Sequence, residues 1–291
     1  RIIEGKQLEL GDRELPPFDE YRIYKNIQEA VMREEKRKNR RIRMPLFFKW
    51  TVACAIVLLV IGVGYNFYQS HNEANLVYRE VCAVRGEKLL VLLPDGSRVW
   101  LNADSKLTYP EQFAKYNRNV TLEGEAYFEI AENKKSPFQV LAENVKIQVT
   151  GTCFNVKAYA SDKVIKTTLD EGSINIGHVQ SRRPMQQMLP GQTAVYEKRS
   201  NVIKIKTDRY HDDASSWKSN RLIFRNASLK EVLTTLSRHF DIEITVKNEK
   251  IASFTYDFVC KGNDLNYVLE VMQSITPVSF KKISEYTYTV E

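Results

Sequence analysis

At 291 residues the chain has room for two ordinary domains and a tail, and 43% hydrophobic with 27% charged residues excludes wholesale disorder. The net charge is +7, but residues 33–49 hold eight Lys or Arg against two Glu, so nearly all of it is one block. A nucleic-acid binder carries its basic residues across a folded face. A basic block beside an apolar run points to membrane topology instead, and no direct nucleic-acid contact is expected.

The first 45 residues read as a helical arm. The chain begins with Arg1 rather than Met, which leaves open whether residues precede it. Pro16 and Pro17 punctuate the arm, and Asp19 can cap a following helix. Ile23, Tyr24, Ile27, Ala30 and Val31 recur at spacings of three and four, which is one face of a helix. So short an arm cannot bury a large core by itself. Its stripe reads either as a segment that docks in a partner's groove or as a spacer helix beside the membrane.

Residues 46–67 read LFFKWTVACAIVLLVIGVGYNF. A bilayer core about 30 Å thick needs roughly 20 helical residues, and this run meets that length. Lys49 can snorkel to the interface, while Trp50, Tyr65 and Tyr68 stand where aromatic anchors do. The basic block places the N-terminal side in the cytoplasm, so everything beyond about residue 69 is expected outside that membrane. A cleaved signal peptide does not fit, because the run is too long and too far from residue 1.

After a linker at 68–83 the pattern turns from helical to alternating. In LLVLLPDGSRVWLN, Leu90 and Leu92 share one face before a Pro94-Asp95-Gly96 turn, and Val99 and Leu101 share one after it. Val120, Leu122, Ala126, Phe128 and Ile130 alternate, followed by Phe138 and Val140, by Val145, Ile147 and Val149, and by Phe154, Val156 and Ala158. Leu169 and Ile174 flank a turn at Glu171-Gly172. Many short strands over 84–200 predict an all-β sandwich or roll.

Six segments stand here in a telling order: LLPDGSRVWLNADSKLTYP, GEAYFEI, PFQV, VTGTCFNVKAY, TLDEGSINI and LPGQTAVY. In that order they resemble the FecR domain, over about residues 84–196. The resemblance implies a membrane-spanning regulator. It would hold an extracytoplasmic-function sigma factor through the arm, with Ile23, Tyr24, Ile27 and Val31 as the contact face. It would receive its signal from a TonB-dependent outer-membrane receptor, and its membrane would be the inner one with the later domains periplasmic.

Residues 217–291 alternate strands and helices. RLIFRN reads as a strand and SLKEVLTTLSRHF as a helix capped by Ser228, with Leu229, Val232, Leu233 and Leu236 on its apolar face. A second round follows in FTYDFVC, DLNYVLEVMQS, PVSFKKI and YTYTV, so a weak internal repeat and a small α+β domain are expected. This part resembles the C-terminal domain of FecR proteins, which is similar to the secretin and TonB short N-terminal fold. That likeness implies contact with the receptor's signalling domain, and YTYTV is the candidate edge strand for it.

Little in the chain speaks for chemistry. Cys54, Cys82, Cys153 and Cys260 form no CxxC pair and no zinc spacing, with Cys153 and Cys260 read as buried strand residues. His211-Asp212-Asp213 reads as solvated charge in a polar linker, and Glu123 and Glu125 as solvent-facing residues on one strand face. No metal site, cofactor or active site is expected. One position stands apart, since some FecR-like proteins cleave themselves at a Gly-Thr bond. At Gly151-Thr152 the threonine hydroxyl would attack the glycine carbonyl in an N-to-O acyl shift. The other reading is a glycine bend before a strand. The rival to the regulator reading is a membrane-tethered periplasmic module that binds a ligand or envelope component. The arm's apolar face separates the two.

Overall fold

The computed structural model describes residues 20–38, 51, 54–66, 77–113, 117–181 and 183–291. The chain divides into two units, 1–74 and 75–291.

In the first unit, α1 (Glu20–Lys38) is the amphipathic helix that the spacing predicts. Ile23, Tyr24, Ile27 and Val31 are all 45–64% exposed. The basic block starts on its last turns, where cations complement the helix dipole. A second helix, α2, covers 54–66. Pro16, Pro17, Asp19, Lys49, Trp50 and Tyr68 lie outside the described residues. Among the described residues, no helix is long and apolar enough to cross a membrane.

Among the described residues the second unit opens with thirteen strands. They are β1 (Tyr78–Ala83), β2 (Leu89–Leu92), β3 (Arg98–Leu101), β4 (Ser105–Pro110), β5 (Asn119–Glu129), β6 (Phe138–Ala142) and β7 (Val145–Val149), then β8 (Cys153–Ala158), β9 (Val164–Glu171), β10 (Ile174–His178), β11 (Gln186–Met188), β12 (Gln192–Glu197) and β13 (Val202–Thr207). One sheet runs β1-β4-β5-β6-β7-β10-β11 and the other β2-β3-β5-β8-β9-β12-β13. Every pairing is antiparallel except β5 with β6. Val99, Leu122, Phe128, Phe138, Ile147, Phe154 and Leu169 fill the core between them. Each such side chain contributes about 1.5–3 kcal/mol by leaving water.

The long strand β5 belongs to both sheets and changes sheet at Gly124. Glu123 still pairs with Lys106 of β4, and Gly124 already pairs with Ala158 of β8. Gly124 has φ +105°, and a Cβ there would stand 2.6 Å from Ser105 Cα. Only glycine fits this crossing. One expectation is overturned on this strand. Glu123 is exposed, but Glu125 is only 8% exposed. The alternation runs through the crossing, with Val120, Leu122, Ala126, Phe128 and Ile130 all in the core, and Glu125 is buried because the segment around Trp217 covers the outer face on which it stands.

The Pro94-Asp95-Gly96-Ser97 turn is held by a buried ion pair. Asp95 accepts from Ser97 N (2.9 Å) and Ser97 Oγ (2.8 Å), and Arg118 Nε donates to Asp95 Oδ2 (2.8 Å). The same guanidinium donates to the carbonyls of Ser136 (2.9 Å) and Ala131 (2.8 Å). Before the turn, Leu90 and Leu92 face outward and Val91 faces the core.

A 3-10 helix, His211–Ser219, leads into the C-terminal part with Trp217 buried. The expected polar linker is therefore structured, since its one large apolar residue has a surface to cover. There β14 (Arg221–Ser228) precedes α3 (Leu229–Phe240) and β15 (Glu243–Val246), and β16 (Thr255–Lys261) precedes α4 (Leu265–Ile275), β17 (Phe280–Lys282) and β18 (Thr287–Val290). Ser228 Oγ accepts from Glu231 N (3.3 Å) and Asp264 Oδ1 from Asn266 N (2.9 Å), so each helix starts on a side-chain cap. β14 pairs with β16, and a second sheet runs β15-β18-β17 with β15 parallel to β18. The strand in YTYTV is thus the middle of its sheet rather than an edge. Its alternate residues Tyr288 and Val290 are buried, and both its flanks are paired. The edges are β15 and β17.

Candidate functional site

Within 75–291 the C-terminal part seats on the outer face of the β2–β13 sheet, and the joint between them is a network of hydrogen bonds and ion pairs. Its centre is Trp217. The indole Nε1 donates to Asn155 Oδ1 (3.1 Å), and Asn155 Nδ2 donates to Glu125 Oε1 (3.0 Å). Asn102 Nδ2 donates to Glu125 Oε2 (2.9 Å). Both carboxylate oxygens of a buried acid are thereby satisfied by amides, as burial requires.

Arg238 holds the other side. It is 8% exposed, lies 3.6 Å over the Tyr159 ring, and donates to Ser161 Oγ (2.6 Å) and Asp162 Oδ1 (3.0 Å). Its own carbonyl accepts from Gly86 N (2.8 Å). Burial and the nearby Glu125 push the Tyr159 hydroxyl well above its ordinary pKa, so it stays a donor, here to Ala103 O (2.8 Å).

The turn between β1 and β2 supplies the rest. Arg85 Nη2 donates to Ile242 O (3.1 Å), and Lys88 Nζ donates to Trp217 O (2.8 Å) and to Asn220 Oδ1. Burial lowers the Lys88 pKa, with Glu125 opposing it. Lys218 lies 3.3 Å over the Tyr127 ring and 3.9 Å from Glu129, and burial again lowers its pKa. The joint is thus built from charge-assisted bonds and one aromatic plug.

The sequence-predicted residues fall elsewhere. Ile23, Tyr24, Ile27 and Val31 share one exposed face of α1 in the first unit. Tyr65, the described membrane anchor, is exposed on α2. Gly151 and Thr152 sit ahead of β8. Thr152 is buried and its Oγ1 donates to Ser173 O (3.0 Å). Attack on the Gly151 carbonyl would require that bond to break. Gly151 has no left-handed φ; a Cβ on it would stand 3.0 Å from Glu132, so close packing explains the glycine.

Among the described residues no group of His, Cys, Asp and Glu is arranged to hold a metal ion. His211 Nε2 lies 3.2 Å from Asp212, while Asp213 pairs with Arg225 at 3.1 Å. All four cysteines are free, with Cys260 buried and Cys153 half-buried.

Sequence reasoning missed Arg118, Lys88 and Arg238. A basic residue in the last turn of a helix reads as a dipole partner, and that hides Arg238. Trp217 did leave a signal, as a lone tryptophan in the polar stretch HDDASSWKS.

Comparison with known proteins agrees with this architecture. The family model described as FecR protein matches residues 80–175, and the one described as FecR, C-terminal, matches 221–290. Two crystal structures of a candidate anti-sigma factor from Parabacteroides distasonis, at 1.65 Å and 2.50 Å, superpose with a TM-score of 0.67 and 26% identity each. They cover 73% and 74% of this chain, and 98% of their own. Curated proteins gave no match. Two FecR domains in their family order, on a fold shared with that relative, make this chain a member of the FecR family.

Proposed function

We propose that the chain is an anti-sigma regulator that relays a signal across the inner membrane. In this reading α1 holds an extracytoplasmic-function sigma factor, residues 46–67 cross the membrane with the N-terminus cytoplasmic, and 75–291 lie in the periplasm. There the C-terminal domain meets the signalling domain of a TonB-dependent outer-membrane receptor. The Parabacteroides relative carries the description of a candidate anti-sigma factor, and its role is extended here to this chain.

The observation that carries the reading is α1, a helix whose apolar residues Ile23, Tyr24, Ile27 and Val31 lie on one exposed face. An apolar helix stripe left exposed among the described residues is what a groove on a partner accepts. The joint adds a route for the signal. Arg85, Gly86 and Lys88 touch the C-terminal domain and directly follow β1, the first strand after the apolar run. A partner that loosens the C-terminal domain would change what holds β1. The protein acts here as a binding relay and not as an enzyme.

The test is co-purification of the full chain with the sigma factors of its own cell. One sigma factor is expected to be captured, and Ile27→Asp to lose it, because a carboxylate cannot be buried unpaired in an apolar groove. Capture that survives Ile27→Asp would overturn the role of α1. Alkaline phosphatase fused after residue 75 is expected to be active and after residue 45 inactive; the reverse would overturn the topology.

A further inference from the structure

Beside the joint, a cleft of about 400 Å³ opens between the outer face of the β2–β13 sheet and the C-terminal domain. That volume is in the usual range for small-molecule sites. Its walls come from both domains, with Lys157, Lys166 and Lys206 on one side and Arg221 and Arg225 on the other.

We infer that this cleft binds a small organic oxyanion, a carboxylate- or phosphate-bearing molecule that bridges the two periplasmic domains. The charge arrangement carries the inference. Lys157 of β8 and Lys166 of β9 are direct cross-strand partners. Like charges in that position repel. Glu231 of α3 approaches Lys166 at 3.9 Å. Lys157, Lys206 and Arg221 have no ion pair or side-chain hydrogen bond among the described residues.

The acids of the cleft are already committed. Glu125, the direct cross-strand partner of Lys157, gives its two oxygens to Asn102 and Asn155. Asp208 accepts from Thr193 Oγ1 (3.0 Å) and Tyr210 N (3.0 Å), and Asp213 is paired with Arg225. Bonds from neutral groups leave Glu125 and Asp208 charged, but six Lys and Arg side chains line the cleft against four carboxylates, so it stays net positive, with Lys157, Lys206 and Arg221 unpaired among the described residues. On the floor, Thr193 Oγ1 donates to Asp208 and accepts from Thr168 Oγ1 (3.0 Å), so both hydroxyls serve to hold Asp208, and Thr193 is the cross-strand partner of Lys206. A charged oxygen among ammonium groups makes the strong class of hydrogen bond and relieves the Lys157–Lys166 repulsion. Because the walls belong to both domains, an occupant would favour the closed joint.

The experiment is calorimetric titration of the full chain in detergent with citrate and with glucose 6-phosphate, and with glucose as the neutral control. At least one anion is expected to bind, more weakly at high salt, and glucose not to bind. Citrate alone would mark a carboxylate ligand, glucose 6-phosphate alone a phosphate ligand, and both a general oxyanion site. The double substitution Lys157→Gln and Lys206→Gln is expected to weaken binding about tenfold or more, the scale of one or two charge-assisted hydrogen bonds. Lys204→Gln, on the same strand as Lys206 but outside the cleft and bound to Glu197, is expected to change nothing. A melting curve shows that the double variant is folded. Failure of both anions to bind, or equal binding by the double variant, overturns the site. Neither result touches sigma capture by α1.

Discussion

Two arginines show how differently the β domain and the domain joint are held. Arg118 is 2% exposed and its partner Asp95 7%, both inside one domain, with Ser136 and Ala131 carbonyls completing the set. Arg238 is nearly as buried, but its acids are not: Asp162 is 22% and Asp104 53% exposed. Water can replace the partners of Arg238 and cannot replace those of Arg118. The first arrangement lies wholly inside one domain. The second fastens two domains through acids that stand partly in water.

The contrast is open to measurement. Arg118→Met leaves the Asp95 carboxylate buried and unpaired, and should cost about 3–5 kcal/mol of β-domain stability in denaturant titration. Replacing Asp95 by Leu as well should recover part of that loss. A near-normal melt for the single variant would erase the distinction.

Arg238→Gln should act on the joint instead, at about 2 kcal/mol. Protease cleavage between residues 208 and 220 should speed up while each domain keeps its own unfolding transition. An unfolded C-terminal domain would show that Arg238 is a core residue after all. Trp217→Phe removes one neutral hydrogen bond to Asn155 and keeps most of the packing, so the same cleavage assay should report about 1 kcal/mol.

The smallest effect concerns His239, whose Nε2 lies 2.6 Å from the Gly262 carbonyl and therefore carries the proton given to it. Burial lowers its pKa below the ordinary 6.5. The folded state then binds fewer protons than the unfolded one between the two pKa values. Stability of the C-terminal domain is full above pH 6.5 and declines as pH falls toward the folded pKa. His239→Gln should flatten that slope. A slope unchanged in the variant would assign it to other groups.

Much of this was legible in the sequence, for identifiable reasons. The β-domain core reads directly because Val120, Leu122, Phe138, Val140, Val145 and Ile147 alternate on strands with one buried face. Helices α3 and α4 read from apolar spacing, and α3 also from Ser228 at its start. The reading slipped where one pattern met a second constraint. Glu125 looked exposed because alternation gives the face a residue stands on and not that the Trp217 segment covers that face. YTYTV looked like an edge because it is last in sequence, although a chain end can close the middle of a sheet.

The sequence by itself determined the order of parts, the basic block beside its apolar run, the amphipathic arm and the likeness to FecR proteins. All of these rest on neighbours along the chain or on short periodic patterns. Only the tertiary structure decided the joint and the cleft. Trp217 meets Asn155, and Arg238 meets Asp162, across separations of 62 and 76 residues. Lys157 and Lys166 face each other only because β8 and β9 pair in one register. A local pattern shows which residues share a face, but the fold alone selects which faces meet and which charges are left without a partner.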